Sequence, residues 1–202
     1  MNKSEKPTAI SLLAITAIIL ITLICIGLTT NYQVYDESSS RTYECDYKSL
    51  NLNTEITTIL DGEEITIKGK LLTFVTDPLT AFNSNEEQIG YAGDVYGFVS
   101  QDDHGIYIND KFIINMCGDI SWMGESYQLK DENQNVIATC QFDIMSINGK
   151  ITDTDGNIIA TYHSPFGRND YTVTISDNEV CSDLAILMIV ASYVSDYQAD
   201  NN

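Results

Sequence analysis

The sequence predicts a mainly β fold: an antiparallel barrel of about twelve strands around a buried C-terminal helix, preceded by a transmembrane helix. Three observations carry this prediction. They are an uncharged apolar segment at residues 9–30, a strand-rich region with repeated hairpins at residues 54–175, and a wholly apolar run at Leu184–Ala191. Closing the strands into a barrel would remove exposed edges and leave a lumen, which the apolar run would fill.

The N-terminal apolar segment predicts a single-pass membrane anchor. Ala9–Thr30 contains no charged residue and reaches the roughly 20 residues that a helix needs to span a bilayer. Lys3 and Lys6 precede it and acidic residues follow it, so we expect residues 1–8 in the cytoplasm and the C-terminal domain outside the cell membrane. The lipid bilayer is then a partner. A cleaved secretory signal is the alternative, for which Gly27–Thr30 is a poor cleavage site.

Strong acidity dominates the rest of the chain. From Asn31 onward the sequence carries eight basic and 28 acidic residues, a formal charge of −20. Such a surface repels phosphate backbones and anionic lipid head groups, which excludes nucleic-acid binding. The acidity then serves solubility alone, or it serves binding of a cation or a basic partner.

The cysteines and histidines form no metal or catalytic pattern. Cys25 lies inside the apolar segment, and Ile24 stands where a lipoprotein signal has a small residue, so a plain membrane cysteine is expected. Four cysteines lie outside that segment: Cys45, Cys117, Cys140 and Cys181. In an exported domain these four pair as disulfides in any of three ways, among which the spacing does not choose. His104 and His163 stand alone in turn-like sequence, which favours structural or solvent-facing roles.

Residues 31–50 read as a polar linker, and residues 51–202 are expected to form the barrel domain, with ordered structure from about Leu52. Asp61–Gly62 lies between two alternating β-branched runs and predicts a two-residue hairpin turn, because glycine tolerates the positive φ that such a turn requires. Asn148–Gly149 predicts a second turn of the same kind.

An internal repeat is the most informative pattern of the strand region. Tyr127–Thr139 aligns with Gly149–Thr161 after an offset of 22 residues, and each copy reads as strand, acidic or amide turn, and strand. A weaker copy lies at Ala81–Gly90 and a fainter one at Ile106–Ile113. Such hairpins cannot bury an apolar face alone, so they are expected to pack against one another.

The apolar run near the C-terminus predicts a helix over about residues 182–196. Leu184–Ala191 shows no polar residue within two turns, so the helix is expected to be buried on all sides. Ser182 or Asp183 can accept the backbone N–H groups of the first turn. A rise of about 1.5 Å per residue gives a length of roughly 20 Å, too short to cross a membrane but long enough to fill a small core.

Together these elements resemble a known family. The repeated hairpins, the strand Asn169–Ile175 and the run Leu184–Ala191 are similar to the LURP-one-related group of the tubby C-terminal-like superfamily, over about residues 60–197. This resemblance implies a twelve-stranded barrel around a central C-terminal helix, an architecture also proposed for phospholipid scramblases. In the family, the tubby branch binds phosphoinositides through clustered basic residues, and the scramblase branch uses its C-terminal helix and calcium.

The basic residues of the barrel region are scattered among many acids: Lys68, Lys70, Lys111, Lys130, Lys150 and Arg168. The membrane segment is N-terminal rather than C-terminal. The resemblance is therefore carried over for the fold and not for the lipid activity.

Two acidic segments hold candidate site residues. Asp153–Asn157 is superficially similar to a calcium loop, but its glycine is fourth and Ser164 stands at position 12, so an ordinary hairpin turn is expected there and at Asp131–Asn135. Weak cation binding of another kind stays open at these turns. Gln101–Gly105 predicts a polar turn rather than an acid–base cluster, because adjacent strand residues point in opposite directions.

Trp122 and Met123 are expected to cap one end of the barrel, and a partner-binding spot is the alternative. Because no nucleophile triad, phosphate-binding loop, zinc spacing or nucleotide fingerprint occurs, we assign no catalytic, cofactor or metal residue and do not expect an enzyme. The sequence predicts a non-enzymatic, membrane-anchored barrel module, with an unknown protein or small-molecule ligand, that acts in binding or in the cell envelope. The alternative is a lipid-interacting, scramblase-like protein.

Overall fold

The structure, a computed structural model, describes residues 15–19, 21, 32–50, 53–70, 78–94, 103–121, 124–143, 147–165 and 170–200. The chain divides into two compact units, Met1–Asn31 and Tyr32–Asn202. In the first unit the described residues are helical, and their isoleucine side chains are exposed. None of the helices formed by described residues is both long and apolar enough to cross a membrane. The rest of the predicted segment 9–30 lies outside the described residues.

The second unit is a closed antiparallel barrel, in which each strand pairs with the next along the chain and the last pairs with the first. Its twelve strands, as far as the structure describes the chain, are β1 (Arg41–Leu50), β2 (Asn53–Leu60), β3 (Glu63–Lys70), β4 (Leu79–Phe82), β5 (Gln88–Asp94), β6 (Asp103–Ile108), β7 (Lys111–Ser121), β8 (Gly124–Lys130), β9 (Val136–Phe142), β10 (Asn148–Asp153), β11 (Ile158–His163) and β12 (Tyr171–Ile175). A 3₁₀ turn at Glu37–Ser39 precedes β1, and helix α1 (Asp183–Asp200) follows β12. The predicted barrel is confirmed.

Strand β1 corrects the predicted domain boundary. Residues 31–50 were expected to be a linker, but Arg41–Leu50 closes the barrel between β12 and β2. Alternate side chains, Tyr43, Cys45 and Tyr47, are buried, as in a strand with one face on a core. Tyrosine and cysteine are less apolar than the β-branched residues of β2, which is why the sequence pattern reads as strand only from Thr54. Eleven of the twelve strands, rather than all of them, lie beyond residue 50.

Helix α1 fills the lumen, as predicted. Every residue from Leu184 to Ser195 is buried, and the helix contacts β2–β6 and β12. On the side of α1 that faces β8–β11, Tyr193 stacks on Phe142 of β9 with 3.4 Å between ring centroids and an interplanar angle of 6°. Its ring also meets Tyr127 of β8 and Tyr162 of β11 edge-on. Of the two buried serines of α1, Ser192 Oγ donates to the Met188 carbonyl at 2.9 Å, and Ser195 Oγ donates to Oγ1 of Thr54 on β2 at 3.5 Å.

The two predicted glycine turns have different outcomes. Asp61–Gly62 joins β2 to β3 with positive φ at both residues, as predicted. The prediction for Asn148–Gly149 was wrong, because both residues begin β10. A Cβ atom at Gly149 would lie 2.5 Å from Cδ1 of Phe142, so this glycine serves close packing against an aromatic ring rather than a turn.

Candidate functional site

The strand order brings the acidic turns of the sequence to one end of the barrel. Because neighbouring strands are antiparallel, the turns that follow β2, β4, β6, β8 and β10 lie together, beside the start of β1 and the start of α1. We call this the acidic end and define it by residues 36–41, 61–64, 83–87, 109–111, 130–135, 153–157 and 176–183. It is the strongest candidate for a functional surface.

The acidic end carries fifteen acidic and three basic residues. The acidic residues are Asp36, Glu37, Asp61, Glu63, Glu64, Glu86, Glu87, Asp110, Asp131, Glu132, Asp153, Asp155, Asp177, Glu179 and Asp183. The basic residues are Arg41, Lys111 and Lys130. This imbalance produces a negative potential that concentrates cations and steers basic molecules toward the surface.

Three of the turns share one hydrogen-bond pattern, which confirms the internal repeat. In Asp153–Asn157, the first carboxylate accepts the backbone N–H groups of Asp155 at 2.9 Å and Asn157 at 2.8 Å, and also the Asn157 side-chain amide at 2.9 Å. Asp131–Asn135 repeats all three bonds at 2.8, 2.8 and 3.0 Å. In Asn83–Glu87 the direction of the last bond reverses, because the Asn83 amide donates to the Glu87 carboxylate at 3.0 Å. The fourth residue of each turn has positive φ.

The shared pattern explains why these loops look like cation sites in the sequence. The first carboxylates of the two turns that begin with aspartate are already engaged by N–H donors, and these bonds hold the pKa of Asp131 below its usual value. The hairpin turns predicted at Asp131–Asn135 and Asp153–Asn157 are confirmed. The described residues contain no cluster of three or more histidine, cysteine or acidic side chains arranged to hold a metal ion. The fourth predicted copy, at Ile106–Ile113, has instead a two-residue turn at Asn109–Asp110.

A second feature of the acidic end is the Arg41 clamp, formed by Arg41, Tyr43, Asp177 and Asp183. The guanidinium donates to both Asp183 oxygens, at 2.7 and 3.0 Å, and to Asp177 at 2.5 Å. The Tyr43 hydroxyl also donates to Asp183. Ser182, rather than Asp183, accepts a first-turn N–H of α1, from Ala185 at 3.4 Å. The clamp therefore joins the strand that closes the barrel to the start of the helix inside it.

The contacts within the clamp shift the pKa values of its members. Burial acts to raise the pKa of Asp183, but the bonds from Arg41 and Tyr43 outweigh it and hold that pKa below its usual value. Burial and the Asp183 carboxylate raise the pKa of Tyr43 to about 12. At neutral pH Arg41 is thus a cation, Asp183 a carboxylate and Tyr43 a neutral phenol, the combination in which their mutual hydrogen bonds are strongest.

The basic residues outside the acidic end do not form a cluster among the described residues. Lys68 of β3 lies 5.7 Å from the ring centroid of Phe82, and Lys150 of β10 lies 5.0 Å from that of Tyr32. Lys48 of β1 pairs with Asp46 at 2.7 Å. Strands β3 and β10 are far apart in the strand order, so the scattering predicted for the lysines is found here. Arg168 lies outside the described residues.

The predicted turn at Gln101–Gly105 is partly corrected. Asp103–Ile108 forms β6, and His104 is buried in it, because it lies two residues before Ile106 and so shares the face of that buried residue. Gln101 and Asp102 lie outside the described residues, as do Trp122 and Met123. His163 is exposed at the end of β11, with Nδ1 2.8 Å from Oδ1 of Asn148.

The four cysteines of the barrel form no disulfide with one another. Cys45 and Cys140 are buried, and burial raises the pKa of both thiols, to about 11 at Cys45. Burial and the neighbouring Asp183 raise the pKa of Cys181 to about 12. Cys117 is partly exposed.

The part of the lumen that the structure describes offers little space for a ligand. A crevice bounded by Cys140, Phe142, Tyr162 and Val190 separates α1 from β9–β11, and it is too narrow to hold a water molecule. The rings of Tyr127, Phe142 and Tyr162 pack directly against Tyr193. Binding is therefore expected on the outer surface or at the ends of the barrel.

Comparisons with known proteins bear on the fold alone. No protein-family model matches the sequence, and no curated protein matches it. A protein from Arabidopsis thaliana, known from an X-ray structure, is similar with a TM-score of 0.51 and 12% identity, covering 83% of this chain and 99% of its own. A putative outer membrane lipoprotein-sorting protein domain from Vibrio parahaemolyticus has a TM-score of 0.29 and 9% identity, covering 85% and 97%, and supports no conclusion. The closed barrel and the Arabidopsis structure are compatible with a tubby-like fold.

Proposed function

We propose that this chain is a non-enzymatic, membrane-anchored binding module on a tubby-like barrel, whose acidic end attracts a positively charged partner. The observation that carries the proposal is the charge of the acidic end, which contains fifteen acidic and three basic residues. The filled lumen supports it, since it directs ligands to the outside of the barrel. The anchor is residues 9–30, and the expected location of the barrel is outside the cell membrane.

The binding proposal is tested with a lysine-rich peptide and the fragment 32–202, by fluorescence anisotropy at several salt concentrations. Replacing the exposed acidic residues Glu86, Glu132 and Asp155 by their amides is expected to weaken binding several-fold and to reduce its salt dependence. The matched control replaces Glu44, Asp46 and Glu55, on the outer face of β1 and β2, by their amides. An equal loss in both triple variants would mean that total charge, and not the acidic end, attracts the peptide.

Vesicle flotation separates this proposal from a scramblase-like function. The fragment 32–202 is expected to stay off anionic vesicles, because its net negative charge repels their head groups. Flotation with anionic vesicles in moderate salt would contradict the electrostatic argument.

The anchor is tested on the full chain, by protease treatment of intact cells. A barrel domain outside the membrane is expected to be cleaved or shed, whereas a protected domain would reverse the proposed orientation.

A further inference from the structure

Three aromatic side chains lie next to one another on the outer face of the barrel, beside the acidic end. Tyr91 of β5 and Tyr107 of β6 are register partners, and Phe112 of β7 is the register partner of Tyr107. The ring centroids of the two tyrosines are 6.0 Å apart, and those of Tyr107 and Phe112 are 5.6 Å apart. We call these three residues the aromatic row. Their rings form one continuous surface across three strands.

The alternation of each strand places the aromatic row outside the lumen. Ala92 and Ile106, which are sequence neighbours of the two tyrosines, are buried in the core, so the tyrosines lie on the opposite face. A register shift in the β6–β7 pairing lets Phe112 share this face, although Ile114, two residues later, is buried. All three rings are partly exposed, so a partner can reach them.

Contacts within the barrel hold the rings in place. A Cβ atom at Gly93 would lie 2.6 Å from the hydroxyl oxygen of Tyr91 and 2.8 Å from its Cζ, so only glycine leaves room for this ring position. Tyr107 packs against the same ring at an interplanar angle of 55°, and Phe112 meets Tyr107 edge-on at 75°. Because the row is already positioned, less conformational entropy is lost when a partner binds to it.

The charges next to the aromatic row are mainly negative. Two turns of the acidic end, at residues 83–87 and 109–111, adjoin the strands that carry the row. The described charged residues of these turns are all exposed, and they are Glu86, Glu87, Asp110 and Lys111. Three carboxylates thus stand against one ammonium group. A cation that is drawn to this part of the acidic end arrives beside the rings.

A ring on the neighbouring strand already contacts a cation. Phe82 of β4 lies on the outer face, because Ala81 beside it is buried, and Lys68 Nζ is 5.7 Å from the Phe82 ring centroid. This distance is within the range of a cation–π interaction. Among the described residues, no such contact to the aromatic row is present. The rings of the row are therefore available to a cation of a partner.

We propose that the aromatic row binds arginine side chains of an extended, arginine-rich segment of a protein partner. This inference rests on the proposed function, because the acidic end supplies the attraction that brings the segment to the row. A guanidinium is planar, stacks on aromatic faces and is more weakly hydrated than the ammonium of lysine, so arginine gains more than lysine from the same rings. Four extended residues of the segment span about 13 Å, which matches the four residue steps from Glu87 to Tyr91.

The test compares two labelled peptides of equal length and charge, one with arginine and one with lysine at every basic position. The full chain in non-ionic detergent is titrated against each peptide, and fluorescence anisotropy measures the dissociation constants. We expect the arginine peptide to bind at least about threefold more tightly. Added salt should weaken the binding of both peptides, because both depend on the acidic end.

Tyr107→Leu is expected to weaken binding of the arginine peptide about two- to fivefold and to affect the lysine peptide less, since it removes a ring without changing the charge. Tyr107→Phe keeps the ring and should bind as the unaltered chain does. Tyr35→Leu is the matched control, at an aromatic residue that is 72% exposed and lies outside the row, and it should also leave binding unchanged.

Equal affinity of the unaltered chain for the two peptides would overturn the inference, even where Tyr107→Leu does not fold. Salt-dependent binding of the arginine peptide that Tyr107→Leu leaves unchanged would also overturn it, while the proposed function would stand. If neither peptide binds in a salt-dependent way, the proposed function fails and this inference fails with it.

Two other occupants of the row are separate outcomes of the same test. Competition with the arginine peptide by a neutral oligosaccharide, such as maltohexaose, would assign the row to sugars and overturn the inference. Self-association of the unaltered chain that Tyr107→Leu abolishes would assign the row to a second copy of this chain and would overturn it as well.

Discussion

Replacing Ile186 by aspartate is the most direct test of the architecture. Ile186 lies near the start of α1, inside the barrel, and is 0% exposed. Losing its side chain costs about 2–5 kcal/mol, as for other buried isoleucines. A carboxyl group in its place must stay protonated, and keeping an aspartate whose ordinary pKa is about 3.9 protonated at neutral pH costs about 4 kcal/mol more. The sum approaches the roughly 5–15 kcal/mol that stabilises a whole domain, so Ile186→Asp is expected not to fold.

The control for this prediction makes the same replacement on the surface. Ile59 of β2 is 55% exposed, and Ile59→Asp is expected to cost no more than about 1 kcal/mol. Urea unfolding of the fragment 32–202, followed by circular dichroism, measures both variants. A soluble Ile186→Asp variant that unfolds cooperatively within about 1 kcal/mol of the unaltered fragment would refute the burial of α1.

Three further predictions concern the clamp, the repeated turns and the domain boundary. Arg41→Ala is expected to lower the free energy of unfolding by about 1 kcal/mol at neutral pH, because solvent screens ion pairs of a side chain that is 41% exposed. Because the pKa of Asp183 is lowered on folding, the stabilisation from the clamp is present above the ordinary Asp pKa near 3.8 and is lost as the pH falls through the folded value. Urea midpoints of the unaltered and Arg41→Ala proteins at about pH 7 and pH 3 measure this difference. An equal loss at both pH values would contradict the role given to Asp183. Asp153→Ala removes three turn bonds and is expected to lower the free energy of unfolding by about 1–2 kcal/mol. Its control, Asp155→Ala, leaves those bonds in place and should change this free energy by no more than about 0.5 kcal/mol in the same assay. Equal costs would refute the role given to the first carboxylate. Deleting residues 1–31 should leave a cooperatively folded domain. Deleting residues 1–50 also removes β1 and exposes the edges of β2 and β12, so this fragment should elute as aggregates in size-exclusion chromatography. A monomeric, folded fragment 51–202 would support the domain boundary expected from the sequence instead.

The features that the sequence predicts correctly are those set by neighbouring residues. Eight apolar residues in a row at Leu184–Ala191 can only be satisfied by burial on every side, and that is where the structure places them. The repeat at Asp131 and Asp153 is readable because an acidic or amide residue bonds to the N–H groups two and four positions later. Such bonds are local and leave their residue spacing in the sequence.

The features that the sequence does not reveal depend on distant contacts. Gly149 looks like a turn residue until the ring of Phe142 is placed against it. Strand β1 has an alternation of tyrosine and cysteine that is meaningful only once β12 lies beside it. Arg41 and Asp183 are separated by 142 positions, so no motif search connects them. A basic residue in a predicted linker and an acidic residue at a predicted helix start are the only signals, and both are common.

The order of the elements explains why the clamp sits where it does. Because α1 comes last in the chain and begins where β12 ends, its first turn lies at the acidic end, beside the start of β1. That is also where barrel closure brings Arg41 next to Ile175, the last residue of β12. The single arginine that the structure describes is thus placed where the first strand, the last strand and the helix meet. Because Arg41 is engaged with Asp177 and Asp183, Lys111 and Lys130 are the only basic residues of the acidic end that are left to offset its other carboxylates. The contacts of Arg41 that hold α1 in the lumen therefore also leave the acidic end with a net negative charge. Stability of the fold and the charge of the surface proposed for binding thus depend on the same arginine.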